Sequence, residues 1–408
     1  MNPTFRGLAA TTVTSLLLLL NAAQAQTGEK PMLIDTKTRT ATIDRILQLL
    51  EAEYVFPETA QKMKAAIQAR LAKKEYDSIT DGAVLAAKLT SDLQAVSKDL
   101  HLRVSFSPQV QPEDSGKILE PAKSELEALR EQVSRDNFGL EKTEILPGNI
   151  GYIKLNFFVS PEWSGEKITA AMNSVASTDA LIFDLRDNGG SMSEQAIPFL
   201  TGYLFEKSTH INSLYWRHLG KATDYYSYAD VPGTRYLNKP VYVLTSPRTF
   251  SGGEEFAYDL KNLKRATLVG GTTGGGANPG GSKRVNDYFA VWIPIGRAIN
   301  PITKTNWEGV GVIPDVVVPP TQALNRAQLL ALESLAKKAT NKDTKTALTT
   351  RIAELKSAQP KLKKATLRLK GYPNAREVTV AGTFNYWSPR TNLLKRRGDS
   401  WATTIEVE

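Results

Sequence analysis

The spacing of apolar residues changes along this chain, and each change marks a different kind of element. From about residue 40 to residue 96 the period is helical: Ile43, Ile46, Leu47 and Leu50 recur on one face, then Leu85, Leu89, Leu93 and Val96. A middle helix is expected to start at Pro57, since proline suits a first helical position. Residues 26–108 therefore read as a small helical domain. At its end Leu102, Val104 and Phe106 alternate with polar residues, as in a half-buried strand. A connecting segment, residues 109–144, carries a further helix with Leu126, Leu129 and Val133 on one face. Between residues 145 and 320 the pattern changes again. NIGYIKLNFF, ALIFDL, PVYVLT and ATLVG are short, continuously apolar runs separated by helical stretches such as residues 252–262. Continuous rather than alternating apolar strands imply a sheet covered on both faces, hence an α/β core. Tyr288 to Gly296 reads as one more strand of that core. After Pro320 the composition shifts to Ala, Leu, Lys, Thr and Gln, and residues 321–360 read as an exposed helical spacer. Residues 361–408 are all-β in pattern, with Val378, Val380, a Gly-Thr-Phe-Asn-Tyr-Trp turn, Trp401, Ile405 and Val407.

Candidate chemistry centres on Ser251, which VYVLTSPRTFSGGEEFAYDL places where a strand gives way to a helix. A serine there would present its hydroxyl to solvent beside the helix's first unpaired N–H groups, starting with Gly252, as an acyl-transfer nucleophile is presented. Ser-Gly-Gly-Glu is equally a capping box, with Ser251 closing the helix and Glu254 reaching back. These residues alone leave both roles open. LIFDLRDNGGS, from Leu181 to Ser191, runs an apolar strand into a Gly-Gly turn whose bare backbone can offer a second N–H to an oxyanion. VSKDLHLRV offers His101 between helix and strand, and NWEGVGVIPD offers Glu308 in a Gly-rich loop. Their bland alternatives are a satisfied strand-edge histidine and a solvated loop glutamate. Asp184, Arg186 and Asp187 read as ion pairs beneath the site. The Gly-rich run from Gly270 to Gly281 lacks a Gly-Lys-Ser ending and a following helix, so it reads as a loop wall rather than a phosphate cradle. His210 and His218 form no metal motif, and neither metal nor cofactor is expected.

Taken together and in this order, over roughly Thr38 to Pro320, these segments resemble the C-terminal-processing (tail-specific) serine protease family, in particular its branch akin to tricorn protease and interphotoreceptor retinoid-binding protein. The resemblance implies a crotonase/ClpP-like ββα spiral core with an N-terminal helical cap domain and a small C-terminal all-β segment. It implies Ser251 as nucleophile, His101 as base and Glu308 as its orienting partner, with an oxyanion hole from the N–H of Gly252 and of Gly189 or Gly190. Tail-specific members place a lysine base after the serine, but Gly276 stands in the matching position here, so a Ser-Lys dyad is not expected. About 40 residues separate Phe106 from the core, roughly half of what the family's peptide-capturing PDZ domain needs. The C-terminal segment resembles part of a glycogen-binding early-set domain, in which Trp387 would contact a sugar ring or else pack internally. The expected function is an exported serine peptidase acting on peptides or unfolded proteins, with α-glucan as a further partner. The alternative is a non-catalytic binding protein for an apolar or glycan ligand, because fold membership alone does not establish catalysis.

Composition narrows the setting. Arg6, the apolar stretch Leu16 to Leu20 and Ala23-Gln24-Ala25 read as a signal peptide over residues 1–25, cleaved after Ala25, and so as a periplasmic or secreted protein. That apolar run is too short to span a bilayer, and no other membrane span is expected. The chain has no cysteine, which excludes disulfides, thiolate metal sites and a cysteine nucleophile. Its net charge of +9 is spread along the chain without a nucleic-acid-binding signature.

Overall fold

The computed structural model describes residues 32–110, 123–359, 362–389 and 391–407. Residues 1–25, expected to be a signal peptide, lie outside the described residues. In chain order the elements are helices α1 (Thr36–Glu53), α2 (Pro57–Ala72) and α3 (Gly82–Ser97), strand β1 (Arg103–Phe106) and helix α4 (Lys123–Arg135). Then come β2 (Leu140–Leu146), β3 (Ile150–Leu155), α5 (Pro161–Val175), β4 (Ala180–Asp184), α6 (Ala196–Gly202), β5 (His210–Trp216) and β6 (Lys221–Tyr226). They are followed by β7 (Val241–Thr245), α7 (Gly252–Asn262), β8 (Thr267–Gly270), β9 (Gly280–Arg284), β10 (Phe289–Pro294), β11 (Gly296–Ile299) and β12 (Val316–Val317). The chain closes with α8 (Ala323–Lys338), α9 (Lys342–Ser357), β13 (Lys363–Lys370), β14 (Lys395–Arg397) and β15 (Ser400–Val407).

Two compact units result. One comprises the described residues up to Asp136 with Asn212–Tyr225 and Gly275–Val310. Its helices start cleanly: Asp35 caps α1 through the Thr38 N–H, and Asp81 caps α3 through the Val84 N–H. The faces read from the period are buried here, with Ile43, Ile46, Leu50, Leu85, Leu89 and Leu93 packed on Leu102, Val104, Phe289, Val291 and Ile293. The last five residues belong to the antiparallel sheet β1-β10-β9 and the loop leading into it; a second sheet is ordered β11-β5-β6. Residues 275–310, expected within the core, are therefore part of this unit. The reason is pairing: β10 aligns with β1, Val291 opposite Val104, and its apolar face completes the helical cluster.

The second unit comprises Asn137–Ile211, Tyr226–Gly274 and the residues from Gly311 on. Its sheet is ordered β12-β8-β7-β4-β3-β2, parallel except for the edge pair β2–β3. Every residue of β4 and β7 is buried, which is why both runs read as continuously apolar. On one face Phe256 of α7 packs edge-on against Phe183 at 5.2 Å. On the other, Ala323, Ala327, Ala331 and Leu332 of α8 pack on Ile150, Ile182, Leu244 and Val269. Of residues 321–360, expected as an exposed spacer, α8 supplies a core layer, whereas α9 is largely exposed with Leu355 buried. The small sheet β13-β15-β14 forms the C-terminal segment. Among the described residues no helix is long and apolar enough to cross a membrane.

Candidate active site

Ser251 sits on a turn fastened from both sides. After β7, the Thr249 hydroxyl donates to the Leu185 carbonyl (2.7 Å) and the Phe250 N–H to the Asn188 carbonyl (2.9 Å). The chain then passes through Ser251 at φ 51°, ψ −121° before α7 begins. A non-glycine residue at positive φ costs about 1–3 kcal/mol and persists only where its surroundings hold it. Here the buried Glu254 carboxylate accepts the Ser251 N–H at 2.9 Å and also takes the Thr273 hydroxyl. The Glu254 N–H also meets the Ser251 carbonyl at 2.8 Å. Both halves of the expected capping box are present. A strained serine between strand and helix has the geometry of a nucleophile elbow. The Gly252 amide, first of α7, has no intrahelical acceptor by position.

Against this elbow lies the turn after β4. Gly190 has φ 127°, and a Cβ there would stand 2.9 Å from the Ser251 Cβ, 3.4 Å from its Oγ and 3.5 Å from the Gly252 nitrogen. Asn188, fully buried, donates to the Leu155 carbonyl (3.0 Å) and accepts the Gly190 N–H (3.0 Å). The Gly189 N–H is donated to the Asn156 carbonyl at 2.9 Å. Both amides of the turn are thus hydrogen-bonded, that of Gly189 to a main-chain oxygen and that of Gly190 to a side-chain oxygen. Beneath the turn Asp184 pairs with Arg186 at 2.5 Å and accepts the Tyr152 hydroxyl at 2.7 Å. Burial alone would raise the Asp184 carboxyl; the hydrogen bonds and charge of Arg186 outweigh it and hold the group below the usual carboxylate range. Asp187 pairs with Lys154 at 3.1 Å and Arg248 at 3.3 Å.

His101 and Glu308 belong to the other unit and come together there. Lys98 closes α3 in the left-handed conformation, φ 60°, and turns the chain so that Asp99 and His101 both point inward. Burial, and next the charge of Arg103, draw the imidazole down to about 3, so it is neutral. Glu308 accepts the Ala277 N–H at 2.6 Å, while the buried Trp307 indole donates to the Gly276 carbonyl at 2.8 Å. Glu308 is thereby fixed rather than loosely solvated. Asp99, which the sequence reading passed over, accepts from the His101 N–H (3.0 Å), Asn278 (2.8 Å) and the Tyr54 hydroxyl (3.2 Å). One donor atom each of Asp99, His101 and Glu308 lies within 4.8 Å of the others. These are atom types that ligate metals. Asp99's bonds to Asn278, Tyr54 and the His101 amide instead give it the work of holding an imidazole loop. Its signal in the sequence was only its place two residues before His101. Lys283 is ion-paired with Glu53 at 2.8 Å.

A two-faced, largely parallel sheet with an elbow serine at its carboxyl edge is the arrangement of an α/β serine hydrolase. Sequence profiles narrow the class. The profile of peptidase family S41 matches residues 149–318, and that of the N-terminal domain of peptidase S41 in eukaryotic IRBP matches residues 33–147. The chain belongs to peptidase family S41. It is similar to the carboxy-terminal-processing protease of Bartonella bacilliformis, 28% identical over 177 residues, which cover 42% of this chain and 39% of that protein. The match thus spans about two fifths of the curated relative's length. Among solved structures, mature CPAF is 12% identical with a TM-score of 0.49, over 78% of this chain and 96% of that one. A lipoprotein from Streptococcus agalactiae is 15% identical with a TM-score of 0.48, over 72% and 96%.

Proposed function

We propose that the protein is an exported serine peptidase that hydrolyses peptide bonds in peptides or unfolded proteins, with Ser251, His101 and Glu308 as its triad. The observation that carries this reading is the strained Ser251 elbow with Gly190 pressed against it. Neutral His101 takes the hydroxyl proton as the Ser251 Oγ attacks the substrate carbonyl, and returns it to the leaving amine as the peptide bond breaks. A water, deprotonated by the same imidazole, then releases the acyl group. Glu308, with Asp99 beside it, orients the imidazole and stabilises its transient charge. The amides of Gly252 and Gly190 receive the tetrahedral oxyanion, an effect worth about 2.7 to 4 kcal/mol for a single donor. The lead over residues 1–25 supports export to the periplasm or beyond.

The test is labelling of the full chain with a fluorophosphonate, alongside hydrolysis of an unfolded protein. Ser251→Ala should lose both and keep its fold. His101→Ala should lose about as much, since triad members act as a unit, and Glu308→Gln less. Labelling of Ser251→Ala at the wild-type rate would remove the nucleophile. A wild-type chain that neither labels nor hydrolyses would favour a binding protein on the same fold.

A further inference from the structure

The C-terminal segment reaches the site. Its Gly382–Trp387 turn places two successive non-glycine residues in the left-handed region, Tyr386 at φ 55° and Trp387 at φ 58°. Such conformations persist only where neighbours enforce them, and one enforced in an aromatic pair asks what the turn presents. Asn385 does the enforcing. Buried, it accepts the Gly382 N–H (2.9 Å) and donates to the Val380 carbonyl (2.9 Å), while the Trp387 N–H returns to the Gly382 carbonyl (2.8 Å). The outcome is a split pair: Trp387 is 63% exposed, whereas Tyr386 is half-buried with its ring over the Arg186 guanidinium, 6.0 Å from the ring centre.

Arg186 is where both halves of the nucleophile's surroundings meet. Its side chain donates to Asp184 twice, at 2.9 and 2.5 Å, and to the Pro320 carbonyl at 2.9 Å. Its main-chain carbonyl accepts the Ser246 hydroxyl in the loop that leads to Ser251. Four residues on is Gly190. An aromatic face over a desolvated guanidinium keeps water from competing for its N–H groups. We infer that Tyr386 is a positioning residue for the oxyanion turn and the Ser251 elbow, acting through Arg186. This rests on the proposed peptidase reading, and it gives the C-terminal segment a part in the reaction itself.

The experiment uses the full chain, with kcat and KM measured on an unfolded protein substrate. Tyr386→Leu and the milder Tyr386→Met should lower kcat about tenfold with KM unchanged, an order below the hundredfold that a 1 Å misplacement can cause. Tyr386→Phe keeps the aromatic face and should keep kcat, as should Trp387→Ala, which removes only the exposed ring. Thermal unfolding of each variant separates lost positioning from lost fold. If Tyr386→Leu fails to fold, Tyr386→Met against Tyr386→Phe decides. Equal kcat for aliphatic and aromatic variants overturns the inference while Ser251→Ala remains dead, whereas activity in Ser251→Ala overturns the peptidase reading instead.

Discussion

Gly190→Ala tests the oxyanion turn most directly, because the structure states what the added methyl meets. It would stand 2.9 Å from the Ser251 Cβ, where ordinary contacts begin at 3.4 Å, and no flexible side-chain end is there to give way. Relief requires about half an ångström of movement by the elbow or the turn, and a 1 Å misplacement of reacting groups costs on the order of 10²-fold. Movement alone then predicts about a tenfold loss of kcat. If the Gly190 N–H also leaves the oxyanion, the loss of a donor adds about 10² to 10³. Backbone strain adds a stability cost, since φ 127° disfavours an L side chain; at about 1–3 kcal/mol it lowers the unfolding midpoint by roughly 2–10 °C. KM should change little, because the turn meets the transition state rather than the bound ground state. Gly220→Ala is the control: it also has positive φ, 63°, but nothing lies within 4 Å of the added methyl. Wild-type kcat in a folded Gly190→Ala protein would refute the reasoning and move the second donor elsewhere.

Two further predictions concern pH and the exposed tryptophan. His101 is buried neutral at about 3 against an ordinary 6.5, so the unfolded chain binds a proton that the folded one refuses between those values. Stability is full above about pH 6.5 and falls with decreasing pH, by about 2 kcal/mol at pH 5. Asp99, raised by burial, works in the opposite sense. The measurement is therefore the difference between wild type and His101→Gln in urea unfolding at both pH values; a pH-independent difference would refute it. Trp387, 63% exposed, tests the glycan contact: retention of the full chain but not of Trp387→Ala on an α-glucan matrix would support it. Equal retention of the two would take carbohydrate off the list of partners.

The sequence by itself determined the elements whose environment is written in their own residues. β3, β4, β7 and β8 were legible because a strand covered on both faces must be apolar throughout. The α3 face from Leu85 to Leu93 and the strand-to-helix passage at Ser251 were legible for the same local reason. Tertiary structure alone decided which distant segments meet. Nothing in the alternation of β10 says that it pairs with β1, so residues 275–310 looked like core. The face of α8 is built from Ala323, Ala327 and Ala331, whose small side chains read as solvent-tolerant yet allow close approach to the sheet. At the site, Gly189 and Gly190 looked equivalent until each amide's acceptor was known. Asp99 and Tyr386 lay inside segments the sequence singled out, but nothing in those segments gave either residue a part at the site. A hydrophobic period records whether a residue faces water or protein; which carbonyl, carboxylate or guanidinium it faces depends on chain pairing over long separations, and only the folded chain settles that.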